Sequence, residues 1–305
     1  SALAEGDVTV TATATDVAGN VAVNTALVTV DTVTTVTIDT PIAADDIINA
    51  DEADAVSISG TGEVGATVVL SANGVTLGSA VVGADGNWSA VVDASALAEG
   101  DVTVTATATD VAGNVAVDTA LVTVDTVTPD VITPVVTDNV ANDGGLLDPA
   151  EQVFNGDSTN DATPTLTVAA AAIEAGATLT LLVDGAPVAA DIITNADGSV
   201  SLTPVTPLTD GDYSLGYRIT DAAGNSTDSP VVDVTVDTVT TVTIDTPIAA
   251  DDIINADEAD AVSISGTGEV GATVVLSANG VILGSAVVGA DGNWSAVVDA
   301  SALAE

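Results

Sequence analysis

The side chains best able to do chemistry in this chain are oxygen donors. The stretch Asp45-Asp46-Ile47-Ile48-Asn49-Ala50-Asp51-Glu52-Ala53-Asp54 recurs letter for letter at 251–260. Asp45, Asp46, Asn49 and Glu52 gather carboxylate and amide oxygens into one turn, as do Asp251, Asp252, Asn255 and Glu258 in the second copy. Hard cations of calcium's kind take six to eight oxygens, often with a late Glu that gives both of its own. The stretch lacks the Gly and the twelve-residue spacing of an EF-hand loop, so that motif does not apply. Most acidic turns are simply solvated loops. Here that bland reading is weakened, because the chain has almost no cation to offset its carboxylates.

Two further acidic motifs recur. Asp-X-Ala-Gly-Asn begins at Asp16, Asp110 and Asp221. Its Gly and Asn suit the positive φ of a tight hairpin, which accounts for the Gly better than for the leading Asp. Asp-Thr-Val-Thr begins at Asp31, Asp125 and Asp237 and carries no Gly, which makes it a stiffer linker than a Gly/Ser segment. If the hairpin and the acidic loop share the end of a unit that meets the preceding unit, Asp110 and Asp46 join Asp31 around one ion. Sequence leaves open whether they share an end or lie at opposite ones.

These motifs need elements to position them, and composition bounds which elements are possible. The chain of 305 residues has formal net charge −44, one cationic side chain (Arg218), and no Lys, His, Cys or Met. Without Cys there is no disulfide framework, and without His there is no Ser-His-Asp chemistry and no ordinary zinc site. The charge opposes binding to nucleic-acid phosphates and to anionic lipid surfaces. Yet 47% of the residues are hydrophobic, mostly Val, Ala, Ile and Leu alternating with Thr and Ser, the pattern of half-buried strands. No apolar run is long enough to span a membrane. No signal peptide is visible, and the missing Met suggests an internal fragment.

The strands come in repeats. Residues 1–30 match 95–124 except that Asn24 becomes Asp118, and residues 31–99 match 237–305 except that Thr76 becomes Ile282. Cutting at the linkers gives a complete unit at 31–124 and a diverged, longer one at 125–236. Residues 1–30 are the C-terminal part of a unit and 237–305 the N-terminal part of another. A unit of roughly 100 residues with about seven short antiparallel strands has the size of an immunoglobulin-like sandwich. The fold class is therefore all-β, a tandem row of immunoglobulin-like β-sandwiches. In 31–124, strands are expected at 33–39, 55–59, 67–72, 75–82, 88–93, 101–109 and 115–124. The longer unit's extra residues fall mostly in 138–164, so Asp143, Asp148 and Glu151 are expected to form a longer version of the cation loop. Residues 1–30 should be ordered strands packed on a five-strand partner. That partner is a neighbouring chain, a continuation of the same polymer, or a split sandwich built from 95–124 and 237–300 around an inserted 125–236.

Together the motifs resemble the immunoglobulin-like extender repeats of giant RTX-type bacterial adhesins. The resemblance covers the whole chain and rests on the combination of the Asp-Thr junction, the loop carrying Asp46, Ile48, Asn49 and Glu52, and the Asp-X-Ala-Gly-Asn hairpin. In the longer unit, Asn155-Gly156 and Thr159-Asn160-Asp161-Ala162-Thr163-Pro164 fit it too. It implies a structural extender segment of a large extracellular, cell-surface adhesin of the kind found in biofilm and attachment. Ca2+ would rigidify the junctions, and neighbouring repeats of the same protein would be the partners; no nucleic acid, direct membrane contact or small-molecule substrate is implied. The alternative is an adhesive module that recognises a glycan, or another copy of itself, through the longer repeat.

The remaining candidates have ordinary readings. Thr103, Thr105, Thr107 and Thr109 share a strand face, which reads as a solvated face rather than an ice-like array. Trp88 and Trp294 sit at equivalent strand starts and are expected in the core rather than as sugar platforms. Tyr213 and Tyr217 share a face, with a hydroxyl of tyrosine-corner type. Paired carboxylates can hydrolyse glycosides only in a walled cleft. The sequence offers no material for one, so no enzyme is expected.

Overall fold

The computed structural model describes residues 3–140 and 151–301. An antiparallel hairpin comes first, β1 (Gly6–Thr15) and β2 (Val21–Val30), in register from Gly6↔Val30 to Thr15↔Val21.

In the unit 31–124 the strands are β3 (Ile47–Ile48), β4 (Val56–Thr61), β5 (Thr67–Ala72), β6 (Val75–Val81), β7 (Asn87–Val92), β8 (Gly100–Thr109) and β9 (Val115–Val124). A sheet ordered β3-β9-β8-β5-β6 faces the pair β4–β7. Period-2 alternation sets the faces: Val56 and Ile58, Val68 and Leu70, and Val102 and Val104 turn inward and are buried, while Ser and Thr alternate outward. The Thr face of β8 belongs to an interior strand, flanked by β9 and β5.

The strand expected at 33–39 is reduced to one bridge, Val36↔Gly62. Its backbone still follows β4, with Thr37 N–H donating to Thr61 O at 2.9 Å and Asp39 N–H to Ser59 O at 2.8 Å. The approach is close enough that a Cβ on Gly60 would lie 1.9 Å from Thr37 O. Trp88 fills the space beside this glycine, 3% exposed, its Nε1–H on Thr61 O at 3.1 Å; Trp294 repeats the arrangement on Thr267 O. Both are core residues, as expected.

The longer unit contains β10 (Val135–Asp138), β11 (Glu151–Val153), β12 (Asp157–Thr159), β13 (Thr165–Val168), β14 (Thr178–Val183), β15 (Ala186–Val188), β16 (Ala190–Thr194), β17 (Val200–Pro204), β18 (Gly211–Thr220), β19 (Ser226–Asp228) and β20 (Val232–Val236). Its sheets run β11-β10-β13-β17-β16 and β12-β20-β18-β14-β15, with β19 on β18. Tyr217 is fully buried between them. Its hydroxyl donates to Ile132 O at 3.0 Å and accepts Ile132 N–H at 3.1 Å, pinning the start of the unit to its core. The half-buried Tyr213 bonds through its hydroxyl to Thr209.

In the last segment, β21 (Val262–Thr267) pairs β24 (Asn293–Val298) and β22 (Thr273–Ala278) pairs β23 (Val281–Val287), in the registers of β4–β7 and β5–β6. Among the described residues, no strand occupies the place that β8 and β9 hold in 31–124, and the hairpin β1–β2 lies on no five-stranded partner. The split sandwich is ruled out, because β8 and β9 pair with β5 and β3 of their own unit. Among the described residues no helix is long and apolar enough to cross a membrane.

Candidate cation site at the unit junctions

The acidic loop is built by local hydrogen bonding around a strained turn. Ala43, Ala44 and Asp46 have φ of 53°, 74° and 64°, a region that L-residues occupy at a cost. Asp46 offsets it, its Oδ1 accepting Ile42 N–H at 2.8 Å, while Asp45 Oδ1 accepts Ile47 N–H at 3.0 Å. Beyond β3, Asn49 and Glu52 cap one another in the manner of a capping box: Asn49 N–H donates to Glu52 Oε2, and Asn49 Oδ1 accepts Asp51 N–H and Glu52 N–H. The second copy repeats these bonds through Asp251, Asp252, Asn255 and Glu258.

This loop and the Asp-X-Ala-Gly-Asn hairpin lie at opposite ends of the sandwich. β3 runs parallel to the end of β9, with Ile48 beside Val124, whereas Asp110 precedes the start of β9. Ten residues of strand separate them, roughly 33 Å at about 3.3 Å per residue. Asp46 therefore does not join Asp31 and Asp110, because topology sends the loop to the far end of its unit.

Asp31 and Asp110 do come together, and a residue the motifs did not reveal completes the group. Carboxylate oxygens of Asp31, Glu63 and Asp110 all lie within 4.8 Å of one another, Asp110 buried and the other two half-buried. Asn114 spans the pair, its Nδ2–H on Asp31 Oδ1 at 3.1 Å and Asp110 Oδ2 at 2.7 Å. Burial pushes the Asp110 carboxyl up, but hydrogen bonds from Asn114, Gly113 and Ala112 outweigh it and hold the group below its ordinary value. Three carboxylates this close repel unless neutralised, and the one Arg is engaged elsewhere, bidentate on Asp228 at 2.6 and 2.8 Å. All-oxygen, carboxylate-rich donors fit a hard cation of the Ca2+ kind. The signal for Glu63 was recurrence: Glu-X-Gly-Ala returns at Glu174 and Glu269.

At the next junction the acidic loop of 31–124 meets the hairpin of 125–236. Asn225, buried, accepts Ala50 N–H on Oδ1 at 2.8 Å and donates Nδ2–H to Asp125 O at 2.8 Å and Asp221 Oδ2 at 2.9 Å. Asn49 Nδ2–H reaches Ala223 O at 3.2 Å. Asp125 N–H in turn bonds Ile48 O. Among the described residues, Asp125 and Asp221 belong to no cluster as tight as that of Asp31. Each linker is also clamped from behind: the Thr32, Thr126 and Thr238 backbone N–H groups donate to Glu5, Glu99 and Asp210. These acids too were missed, since each falls in the short turn that precedes a strand.

In the longer unit, Asp143 and Asp148 lie outside the described residues, as does the side chain of Glu151. The strand equivalent to β3 is β12: it runs parallel to β20 as β3 does to β9, and Asp237 N–H bonds Thr159 O as Asp125 N–H bonds Ile48 O. Two fully buried carboxylates flank it, Asp138 and Asp161. Among the described residues, the donors that reach them are neutral: Val140 N–H and the Thr159 hydroxyl on Asp138, and Asn139 N–H and the Thr163 N–H and hydroxyl on Asp161. Buried charge without a counter-charge is costly. Asp16 and Asp237 are exposed; Asp16 bonds only within its own hairpin, and Asp237 only through its backbone.

Residues 132–238 match the family described as bacterial Ig-like domain, and residues 40–125 and 247–305 match bacterial Ig domain. A search among curated proteins finds no match. Three solved structures are similar to the chain. One is of a Ca2+-stabilized adhesin that helps an Antarctic bacterium reach out and bind ice, 32% identical over 97% of this chain and 74% of that one, TM-score 0.39. Another is of a 1.5-MDa bacterial ice-binding adhesin, 27% identical over 88% of each, TM-score 0.36. The third is a tetra-tandem repeat from the extending region of a large adhesion protein, 28% identical over 99% and 76%, TM-score 0.30.

Proposed function

This chain belongs to the bacterial Ig-like extender repeats of large adhesins, and from that kinship we propose that it is a spacer. It holds a distal binding region away from the cell surface, outside the cell, with Ca2+ stiffening the junctions between its units. The observation that carries this reading is the bridge made by Asn225, which ties the loop of one sandwich, the linker and the hairpin of the next into one hydrogen-bonded joint.

Asp31, Glu63 and Asp110 are the residues that hold the ion, with Asp125, Glu174 and Asp221 at the corresponding positions of the longer unit and Asp138 and Asp161 a separate acidic pair at its opposite, loop end. Ca2+ supplies positive charge shared among carboxylates from different elements. Without it, the carboxylates repel and loosen linker from hairpin; neutralised, they clamp them. Extracellular modules of this kind bind at roughly 10⁻⁴–10⁻³ M Ca2+, so such a rod is stiff outside a cell and loose within one. Small-angle scattering tests the reading: the maximum dimension should rise on going from chelator to millimolar Ca2+. Superimposable curves would count against calcium stiffening.

One observation favours a second reading, adhesion through the longer unit. Phe154 is 60% exposed beside β11, the one aromatic of the chain in the open. Retention on a glycan array that Phe154→Ala abolishes would support it.

A further inference from the structure

The turn that leads into β7 returns unchanged before β24. Asn87-Trp88-Ser89 and Asn293-Trp294-Ser295 each follow an Asp-Gly pair. Asn-X-Ser with X other than Pro is the acceptor pattern for N-linked sugar on surface segments of secreted proteins. Such triplets also arise by chance, and two atoms separate an acceptor from an ordinary strand start: the Asn amide nitrogen and the hydroxyl two residues on. Strand alternation presents both here. Trp88 and Trp294 turn into the core, while Asn87 and Ser89, like Asn293 and Ser295, are exposed on one outer face.

The amides are also free to react. Asn87 Nδ2 donates one hydrogen to Asp85 Oδ2 at 2.9 Å, and among the described residues nothing accepts the other. Asn293 Nδ2 makes one long bond, to Asp291 O at 3.4 Å. An N-linked sugar replaces one amide hydrogen and keeps the second, so the bond to Asp85 survives the change. Beside Asn87 lies an open hollow of about 490 Å³ lined by Asp39, Ser59, Asp85 and Ser89, and its copy beside Asn293 measures about 470 Å³. Both hollows are of small-ligand size and offer hydroxyl and carboxylate oxygens to a sugar. The third such triplet, Asn225-Ser226-Thr227, is a contrast within the same chain. Asn225 is 5% exposed, its amide hydrogens go to Asp125 O and Asp221 Oδ2, and the Thr227 hydroxyl is buried.

We propose that Asn87 and Asn293 are acceptor sites for N-linked glycan and that Asn225 is not. The donor is a sugar activated as a diphosphate ester, delivered by a glycosyltransferase of the producing cell. The amide nitrogen bonds to the anomeric carbon of the sugar. The bond from that carbon to the diphosphate oxygen breaks, its electron pair leaves on the diphosphate, and the nitrogen's proton passes to a base of the transferase. Asn87 pairs with Thr61 and Asn293 with Thr267, each two residues before the Glu of the Glu-X-Gly-Ala turn. Each glycan therefore adds uncharged, hydrated bulk at the linker end of its unit. The assignment rests on the exposed amides and hydroxyls and is independent of the calcium and spacer readings.

Mass spectrometry on the protein taken from the cells that produce it tests the assignment. Cleavage after Glu gives peptides 64–99 and 270–305, which Thr76 and Ile282 tell apart. Both should carry sugar mass, and fragmentation should place it on Asn87 and Asn293, while the peptide holding Asn225 should have its bare mass. Asn87→Gln with Asn293→Gln, made in the same cells, should lose all of that sugar and keep the melting transition of the unit 31–124. Ser89→Ala retains the Asn87 amide but removes the hydroxyl that a transferase reads, so it should empty Asn87 and leave Asn293 occupied. Bare peptides from the native protein overturn the proposal, as does sugar that persists in the double Gln variant on Ser or Thr. Occupancy of Asn225, or of Asn87 in Ser89→Ala, overturns the selection by exposed amide and hydroxyl.

Discussion

The side-chain carbonyl of Asn225 accepts the backbone N–H of Ala50 at 2.8 Å, across the boundary between two sandwiches. The same amide donates to Asp125 O in the linker, so one buried side chain fixes three pieces of chain against one another. Asn225→Ala leaves Ala50 N–H and Asp125 O without their partner, at about 1–3 kcal/mol for each group that stays buried. The individual units should keep their melting transitions, while scattering shows a bent or broadened distribution at this joint. Unchanged scattering would mean that the joint is held by other contacts.

Among the described residues the Glu63 side chain has no hydrogen-bond partner, yet it sits in the acidic group with Asp31 and Asp110. Glu63→Gln should therefore leave the fold intact in chelator and reduce the gain in melting temperature from Ca2+. For the unmodified chain that gain corresponds to about 2.7 kcal/mol at a hundredfold excess of ion over its dissociation constant. Mg2+ should do less, since it demands tighter octahedral geometry. Equal calcium responses in the two proteins would remove Glu63 from the site.

Gly60→Ala tests the close approach of the first strand. The added methyl meets a backbone carbonyl at 1.9 Å, which no rotamer change relieves, so the cost belongs at or beyond the upper end of the usual ~1–3 kcal/mol for overpacking. In a domain of this size that is a fall of about 10 °C or more in the melting of the unit 31–124. A fall of only a degree or two would show that the strand can lift off β4 freely.

The hydrogen-bonded carboxylates give a pH signature. Asp228 is held below the ordinary carboxylate value by its hydrogen bond from Arg218 and the charge behind it, although burial works the other way; the Asn87 side chain and backbone N–H do the same for Asp85. A depressed folded value adds stability that is fully present above the unfolded value of about 3.9 and is lost as pH falls through the folded one. The difference in melting temperature between the unmodified chain and Asp228→Asn should thus be constant near pH 6 and shrink below about pH 4. Comparing the two proteins cancels the general relief of carboxylate repulsion on acidification. A difference that grows toward pH 3 would reverse the sign assigned here.

Repetition made most of the fold legible. Alternating Val and Thr located six of the seven strands expected in 31–124, and the two identical stretches revealed which pieces correspond. Legibility failed where backbone geometry overrides pattern. The first strand follows β4 so closely that only one bridge forms, and β3 is a two-residue strand whose partner lies some seventy positions away. The site was half legible for the same reason. Residue types marked Asp31 and Asp110, but whether Asp46 joined them depended on which end of the sandwich the loop reached, a matter of topology that no local spacing encodes. Glu63 and Asn225 sit in recurring motifs, but their junction contacts, like that of Glu99, depend on which unit they are brought against.

The loop leaving one end of each sandwich and the hairpin receiving it at the other give every unit a tongue and a groove, and the tongue of 31–124 fits the groove of a unit of quite different length. A gene coding such units can gain or lose one by recombination between its identical stretches without disturbing any joint that remains.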